Sequence, residues 1–425
     1  MAKKSGNIVA IITMIFIFGM ISFVTNLAAP IGNIWKMDSH IAGSNTLGMM
    51  GNMMNFLAYL FMGIPAGKML SKKGYKFTAL VGIALGFIGV FIQFLSGKVP
   101  GFPVNFCTYL LGAFISGFSV CILNTVVNPM LNLLGGGGKS GNQYVQIGGT
   151  FNSLMGTLTP MLVGAMIGSL TKDTVISDVN PVLYIAMAIF LVAFIILLFI
   201  PIEDPEQEEE TVASSPWEWR HFIFGIIAIF MYVGVEIGIP GTLNFFLADP
   251  ENPAKMSVAD AATIAGFVAG TYWFLMLVGR FISSLISGKV SSKTQLTVCA
   301  TVAIIFVLLA MFTSVDKRAS MPSFTGSGFQ MVEVPLSALF LVLCGLCTSV
   351  MWGAIFNLAV EGLGSATALA SGIFMTMVVG GGILPVLQNF IADKAGYMPS
   401  YWVVVIGLAY ILWFAVMGSK VVKRK

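Results

Sequence analysis

Apolar residues run along this chain in twelve blocks, each near or above the roughly 20 residues that an α-helix needs to span a bilayer's hydrocarbon. They fall near 8 to 30, 45 to 66, 77 to 97, 104 to 134, 143 to 170, 180 to 202, 220 to 248, 259 to 287, 294 to 314, 333 to 360, 366 to 392 and 400 to 419. Most polar interruptions are short. The strong exception, "IEDPEQEEETVASSPWEWRH" at 202 to 221, is acidic, lacks an apolar period, and has six blocks on each side. The expected fold is an all-α membrane protein, twelve transmembrane helices in two six-helix bundles. The expected domains are an amino-terminal bundle over 1 to 201, an acidic linker over 202 to 219 and a carboxy-terminal bundle over 220 to 425.

The halves share a weak internal likeness. "AGKMLSKKGYK" ends the second block and "GRFISSLISGKVSSK" the eighth, both small-residue exits into a basic loop. The fifth and eleventh blocks each carry small residues along one side and a proline at similar depth, Pro160 and Pro385. With Pro129 and Pro240, these prolines kink helices and free carbonyls, which is tolerated against protein or a water-filled cavity. A central cavity is expected.

Composition supports the membrane reading: 57% of residues are hydrophobic, 9% are charged, and mean hydropathy is +0.91. Twelve crossings put both termini on one side, and basic residues are retained in the cytoplasm. With both ends inside, only Lys36, Lys98, Lys172, Lys255, Lys317, Arg318 and Lys394 lie outside, leaving 15 of the 22 Lys and Arg inside. The net charge of +4 is mostly this bias, so nucleic acid is not an expected partner. The leader "MAKKSGN" precedes a block without a clear cleavage site, which reads as a retained helix.

Two motifs suggest chemistry that their context does not support. "GGGGKS" at 135 to 140 resembles the end of a phosphate loop, but the first glycine of that pattern falls on Leu133 and no strand precedes it. Cys344 and Cys347 form a CxxC inside an apolar block with no second pair, and the only histidines, His40 and His221, lie in loops. Structural packing explains these cysteines; no metal or cofactor site is expected. No catalytic residue set stands out, so an enzyme is not expected.

The informative residues are polar ones inside the blocks. Asn26, Asn52, Asn55, Asn124, Asn128, Asn152, Asn244 and Asn357 are all amides, which donate and accept and so suit the hydroxyls of a neutral polyol. Ser22 with Asn26, and Asn124 with Asn128, stand four apart on shared helix faces. Bonding between helices is the competing reading for any one amide. As a set they favour a polar cavity. Tyr232, Tyr272, Trp273 and Trp352 lie at comparable depth, where rings stack on a sugar, anchor at the interface or pack in the core.

Glu236, in "YVGVEIGIPGTLNFF", is the sharpest signal. A charge at mid-bilayer costs about 2.5 to 3.5 kcal/mol on insertion scales, so it persists when protonated, paired or facing water. Tyr232, Pro240 and Asn244 share its face at four-residue steps, and no Lys or Arg stands at similar depth. A protonatable or cation-binding carboxylate is the functional reading, and a hydrogen-bonded structural glutamate is the alternative. Arg280 and Glu361 sit near the block ends, where gating or loop contacts are expected.

"GIPAGKMLSKKGYK", "NTVVNPMLNLLG", "GGTFNSLMG" and "IFNLAVEGLGSATALASGIFMTMVVGGGILPVLQNFIADKAG" together resemble the fucose permease branch of the major facilitator superfamily, the sugar:proton symporters. That resemblance implies alternating access, a monosaccharide-like substrate between the bundles, a functional monomer, and Asn26, Asn124, Asn128 and Asn152 lining the site. It also shows two departures. Where the proton-coupled relatives have carboxylates in helices 1 and 4, this chain has Ala29 and Asn124. Glu236 is then the mid-span candidate for coupling to a proton, or to Na⁺ with carbonyls freed near Pro240.

The expected function is import of a sugar, a monosaccharide or small oligosaccharide, across the bacterial inner membrane, with Asn26, Asn124, Asn128, Asn152, Asn244, Asn357, Tyr272, Trp273 and Trp352 binding substrate. Rivals are an uncoupled or effluxing porter for an oligosaccharide or drug, and a membrane sugar sensor.

Overall fold

The computed structural model describes residues 2–134, 138–167, 170–200, 215–251, 253–256, 261–286, 290–324, 329–363 and 367–423. Among them, eleven helical segments are long and apolar enough to cross a membrane. One of these segments counts twice. Helix α4, Met50–Ser96, follows the short α3, Asn45–Gly48, and holds 47 residues, about 70 Å at the usual rise and roughly twice the hydrocarbon thickness. Gly74 breaks it with φ 80° and ψ 175°, a backbone region that glycine enters freely. Both arms then flank one turn of α5, Val104–Leu134. A Cβ on Gly117 would lie 2.1 Å from the Asn55 carbonyl, and one on Gly89 would lie 2.4 Å from Ser116 Oγ. The chain has turned back on itself, giving twelve crossings among the described residues.

The first crossing is longer than the apolar block suggests. Helix α1, Ala2–Asn26, and α2, Ala28–Lys36, meet at Leu27 and carry the span to Lys36. Lys36 is a buried helix end and not a loop residue, because polar partners from distant segments surround it. The first half continues with α6, Gly138–Ile167, and α7, Asn180–Phe199. The second opens with α8, Arg220–Ala248, then α9, Ala261–Ile286, and α10, Ser292–Phe312.

The tenth block was expected to begin as a helix at 333, but residues 333–335 belong to a strand. Strands β1, Arg318–Phe324, and β2, Phe329–Pro335, form an antiparallel hairpin that pairs Arg318 with Pro335. Gln330 and Glu333 break the helical apolar period there, while alternating side chains suit a strand. Beyond the hairpin, the crossing is split into α11, Leu336–Thr348, and α12, Met351–Val360. The eleventh is split likewise into α13, Thr367–Thr376, and α14, Gly380–Ala395, around a 3₁₀ turn at Met377–Val379. Short α15, Tyr397–Ser400, leads into α16, Trp402–Trp413.

The seam between the halves brings α6 against α9, α4 against α13 and α14, α3 against α14, and α2 against α8. On the first, a Cβ at Gly266 would meet the Pro160 carbonyl at 2.2 Å and Gly164 Cα at 3.1 Å. These backbones touch, as small residues allow in lipid. Residues 202–214 of the expected linker, and Gly135 to Gly137 of "GGGGKS", lie outside the described residues. At the linker's end, Trp219 bridges to Lys423. Lys423 also pairs with Glu218 at 3.1 Å, and the hydrogen bond its ammonium donates, helped by its charge, holds that carboxyl's pKa below the ordinary value.

Candidate functional site

A cavity of about 30 Å³ lies on the seam. Thr25, Asn26, Ala29 and Pro30 reach it from the first crossing, Met49 and Asn52 from the second, and Pro160 from α6. Ile237, Pro240, Gly241 and Asn244 of α8, with Ala269 and Trp273 of α9, complete the wall. The helix breaks of the sequence therefore converge here: Pro160 and Pro240 face one another's bundle across the same void. That is room for a water or two. A sugar ring needs the halves to part.

Of the expected substrate residues, the cavity gathers Asn26, Asn244 and Trp273, together with Asn52. Asn26 donates to its own helix, to Ser22 O at 2.9 Å and Ser22 Oγ at 3.2 Å. Asn244 accepts from Asn33 Nδ2 at 2.6 Å, a bond between the halves. Asn52 donates to Gly381 O at 2.8 Å, a second such bond.

The other expected residues lie outside this wall. Asn124 donates to the Tyr59 hydroxyl at 2.7 Å, Asn128 to Asn124 O at 3.4 Å, and Asn152 to Phe18 O at 2.8 Å. All three remain half-buried. Tyr272 is fully buried, its hydroxyl 2.9 Å from Thr348 Oγ1 and its ring edge-on to Trp273. Trp352 packs edge-on to Tyr232 and Phe374, and Asn357 is exposed on α12.

Glu236 stands one residue before the cavity-lining Ile237. It is buried, with 9% exposure. The Tyr232 hydroxyl, one turn earlier, donates to Glu236 Oε1 at 2.9 Å and has Thr348 O at 3.2 Å as its other acceptor. Arg280, near the end of α9, turns inward towards α6, its long side chain carrying the charge. There its guanidinium donates to Ser153 Oγ at 2.9 Å and Gly149 O at 3.1 Å, crossing the seam to α6.

Sequence reasoning missed the polar closure at the end opposite the termini, the far side. Lys36, Asn45, Asp249, Asp393 and Tyr397 meet there from segments more than 350 residues apart at the extreme. Lys36 ending an apolar run was the available signal, and it reads equally as a loop charge.

The Major Facilitator Superfamily profile matches residues 9–385. The chain belongs to that superfamily. Its members with similar sequences include a protein of Brucella abortus named glucose/galactose transporter, 30% identical over 98% of this chain and 95% of its own length. The L-fucose-proton symporter of Escherichia coli is 23% identical, covering 81% of this chain and 78% of its own. In fold, a crystal structure of the superfamily transporter FucP in the outward conformation superposes with a TM-score of 0.66 at 18% identity, covering 97% and 99% of the two chains. A D-xylose-proton symporter superposes equally well, at 14% identity over 96% and 98%. The superfamily resemblance read from the motifs thus holds along nearly the whole chain.

Proposed function

We propose that this protein is a secondary transporter that imports a neutral sugar by alternating access, driven by a cation that acts through Glu236. The observation that carries this reading is the amide-lined cavity on the seam, with Trp273 in its wall and the Glu236 and Tyr232 pair beside it. Amides match sugar hydroxyls in both hydrogen-bonding senses, and an indole offers a face for the ring. The similar proteins named for glucose, galactose and fucose support that substrate class. Glucose and galactose are the first candidates.

Coupling rests on elimination among cavity groups. Ala29 lines the cavity and carries no proton, and Asn124 is occupied by Tyr59. Glu236 is the buried carboxylate beside the wall, and Tyr232 fixes its orientation. A proton entering from the far side neutralises it, and release to the termini side restores the charge. Na⁺ is the alternative cation.

The domains proposed are bundles at 1 to 201 and 220 to 425 joined by the acidic linker at 202 to 219. The protein is placed as a monomer in a bacterial inner membrane with both termini cytoplasmic, as the distribution of Lys and Arg supports.

The test is uptake of labelled glucose, galactose and fucose into proteoliposomes under imposed pH or Na⁺ gradients. Native protein should accumulate sugar under one gradient, and Glu236→Gln should lose accumulation yet keep exchange of sugar for sugar. Undiminished accumulation by Glu236→Gln would sink the coupling role. Uptake of none of the sugars would sink the substrate class.

A further inference from the structure

We infer that the cluster centred on Lys36 is the far-side gate of the cavity, an all-or-none latch that must break before that side opens. This rests on the alternating-access reading above. Asn33, bonded to the cavity-lining Asn244, forms the layer next to the void. Lys36 lies one turn beyond it on the same helix and is 4% exposed. Its ammonium sits 4.5 Å over the ring of Phe245, the neighbour of Asn244, and donates to Asn45 Oδ1 at 2.5 Å and the Tyr397 hydroxyl at 3.2 Å.

Carboxylates stand one step further out. Asp249 Oδ2 takes the Tyr397 hydroxyl at 2.5 Å. Asp393 accepts from Asn45 N at 2.7 Å, Thr46 N at 2.9 Å, Thr46 Oγ1 at 2.5 Å and Ser44 Oγ at 2.9 Å. Lys36, Ser44, Asn45 and Thr46 belong to the first half, while Phe245, Asp249, Asp393 and Tyr397 belong to the second. Apart from Lys36 to Asn45 and Tyr397 to Asp249, every one of these contacts crosses the seam.

The choice of charge explains the behaviour. The ion pairs among the described residues do not include Lys36, so a buried ammonium is held by neutral acceptors and a ring face, with Asp249 and Asp393 contributing at longer range. Partial separation would strip acceptors from a charge that water does not yet reach, which is strongly unfavourable. Full separation solvates it. An apolar plug would loosen gradually; this cluster favours two states, shut or wholly open.

The test places a reporter thiol, Met49→Cys, in the cavity wall of a Cys107→Ser background. A membrane-impermeant maleimide is applied to whole cells and to inverted vesicles, so the far side is reached whichever way the chain inserts. No sugar is added, so failure of the sugar reading leaves this result interpretable. Lys36→Met, which keeps the length and apolar stem, should raise far-side labelling about tenfold, a shift of roughly that size in the open population. Tyr397→Phe keeps the ring and removes only the hydroxyl; it should raise labelling about threefold, and it decides alone if Lys36→Met does not fold. Labelling within about twofold of the parent in variants that elute as folded protein would overturn the gate.

Discussion

The two ends of the seam are closed by different means. On the far side, Lys36 and residues 44 to 46 meet Phe245, Asp249, Asp393 and Tyr397 in a buried charged cluster. On the termini side, Arg280 reaches α6 through two neutral acceptors. Polar bonds between helices in a bilayer are worth about 0.6 kcal/mol on average, so number and charge burial decide which closure is firmer. The far side has both. The contrast implies that the cavity opens more readily towards the termini, which in the proposed orientation is the side where an importer releases its substrate.

The largest effect should come from the wall between these ends, which both closures need as a fulcrum. Gly266→Val drives a branched side chain into the Pro160 carbonyl and Gly164 Cα. Backbone cannot yield as a side chain does, so overpacking should cost about 3 kcal/mol or more. Thermal unfolding in detergent should show a lower Tm or no folded protein. Gly353→Ala, where a Cβ meets nothing within 4 Å, is the control and should unfold near the native temperature. Equal behaviour of the two would remove the fulcrum from the comparison.

Next come the closures themselves. Asp393→Asn keeps the shape but loses the charge that gathers Ser44, Asn45 and Thr46, and should raise far-side thiol access about fivefold; Arg280→Gln should instead raise access from the termini side by about threefold. If both raised access on the same side, the division of labour between the ends would be wrong.

How much of this could be read in the sequence differs along the chain. Apolar length alone locates the crossings, because a bilayer demands about 20 residues whatever they pack against. The hairpin at 318 to 335 escaped because "MVEVPLSALF" merges a strand with the following helix into one apolar run. In the site, Pro160, Pro240, Asn244 and Glu236 were visible as polar or helix-breaking residues in apolar surroundings. Lys36 was not. A lysine ending a span looks the same whether water or Tyr397 receives it, and Tyr397 lies 361 residues away.

The smallest effect expected is at Asn152, which is outside the cavity wall and stands beside Ser153 of the termini-side closure without bonding to Arg280. Its Nδ2 donates to Phe18 O at 2.8 Å, tying α6 to α1 within the first half. A helical carbonyl in mid-span already accepts its own backbone bond, so truncation leaves no orphan there, and Asn152→Ala should lower stability by about 0.6 kcal/mol. Sugar binding should fall further, about fivefold or ~1 kcal/mol: when the halves part to admit a ring, this half-buried amide is positioned to exchange Phe18 for a hydroxyl. Isothermal titration and unfolding of the same preparation separate the two quantities. A loss of stability equal to or larger than the loss of binding would make Asn152 a brace of the first half, and the substrate site would contract to Asn26, Asn52, Asn244 and Trp273.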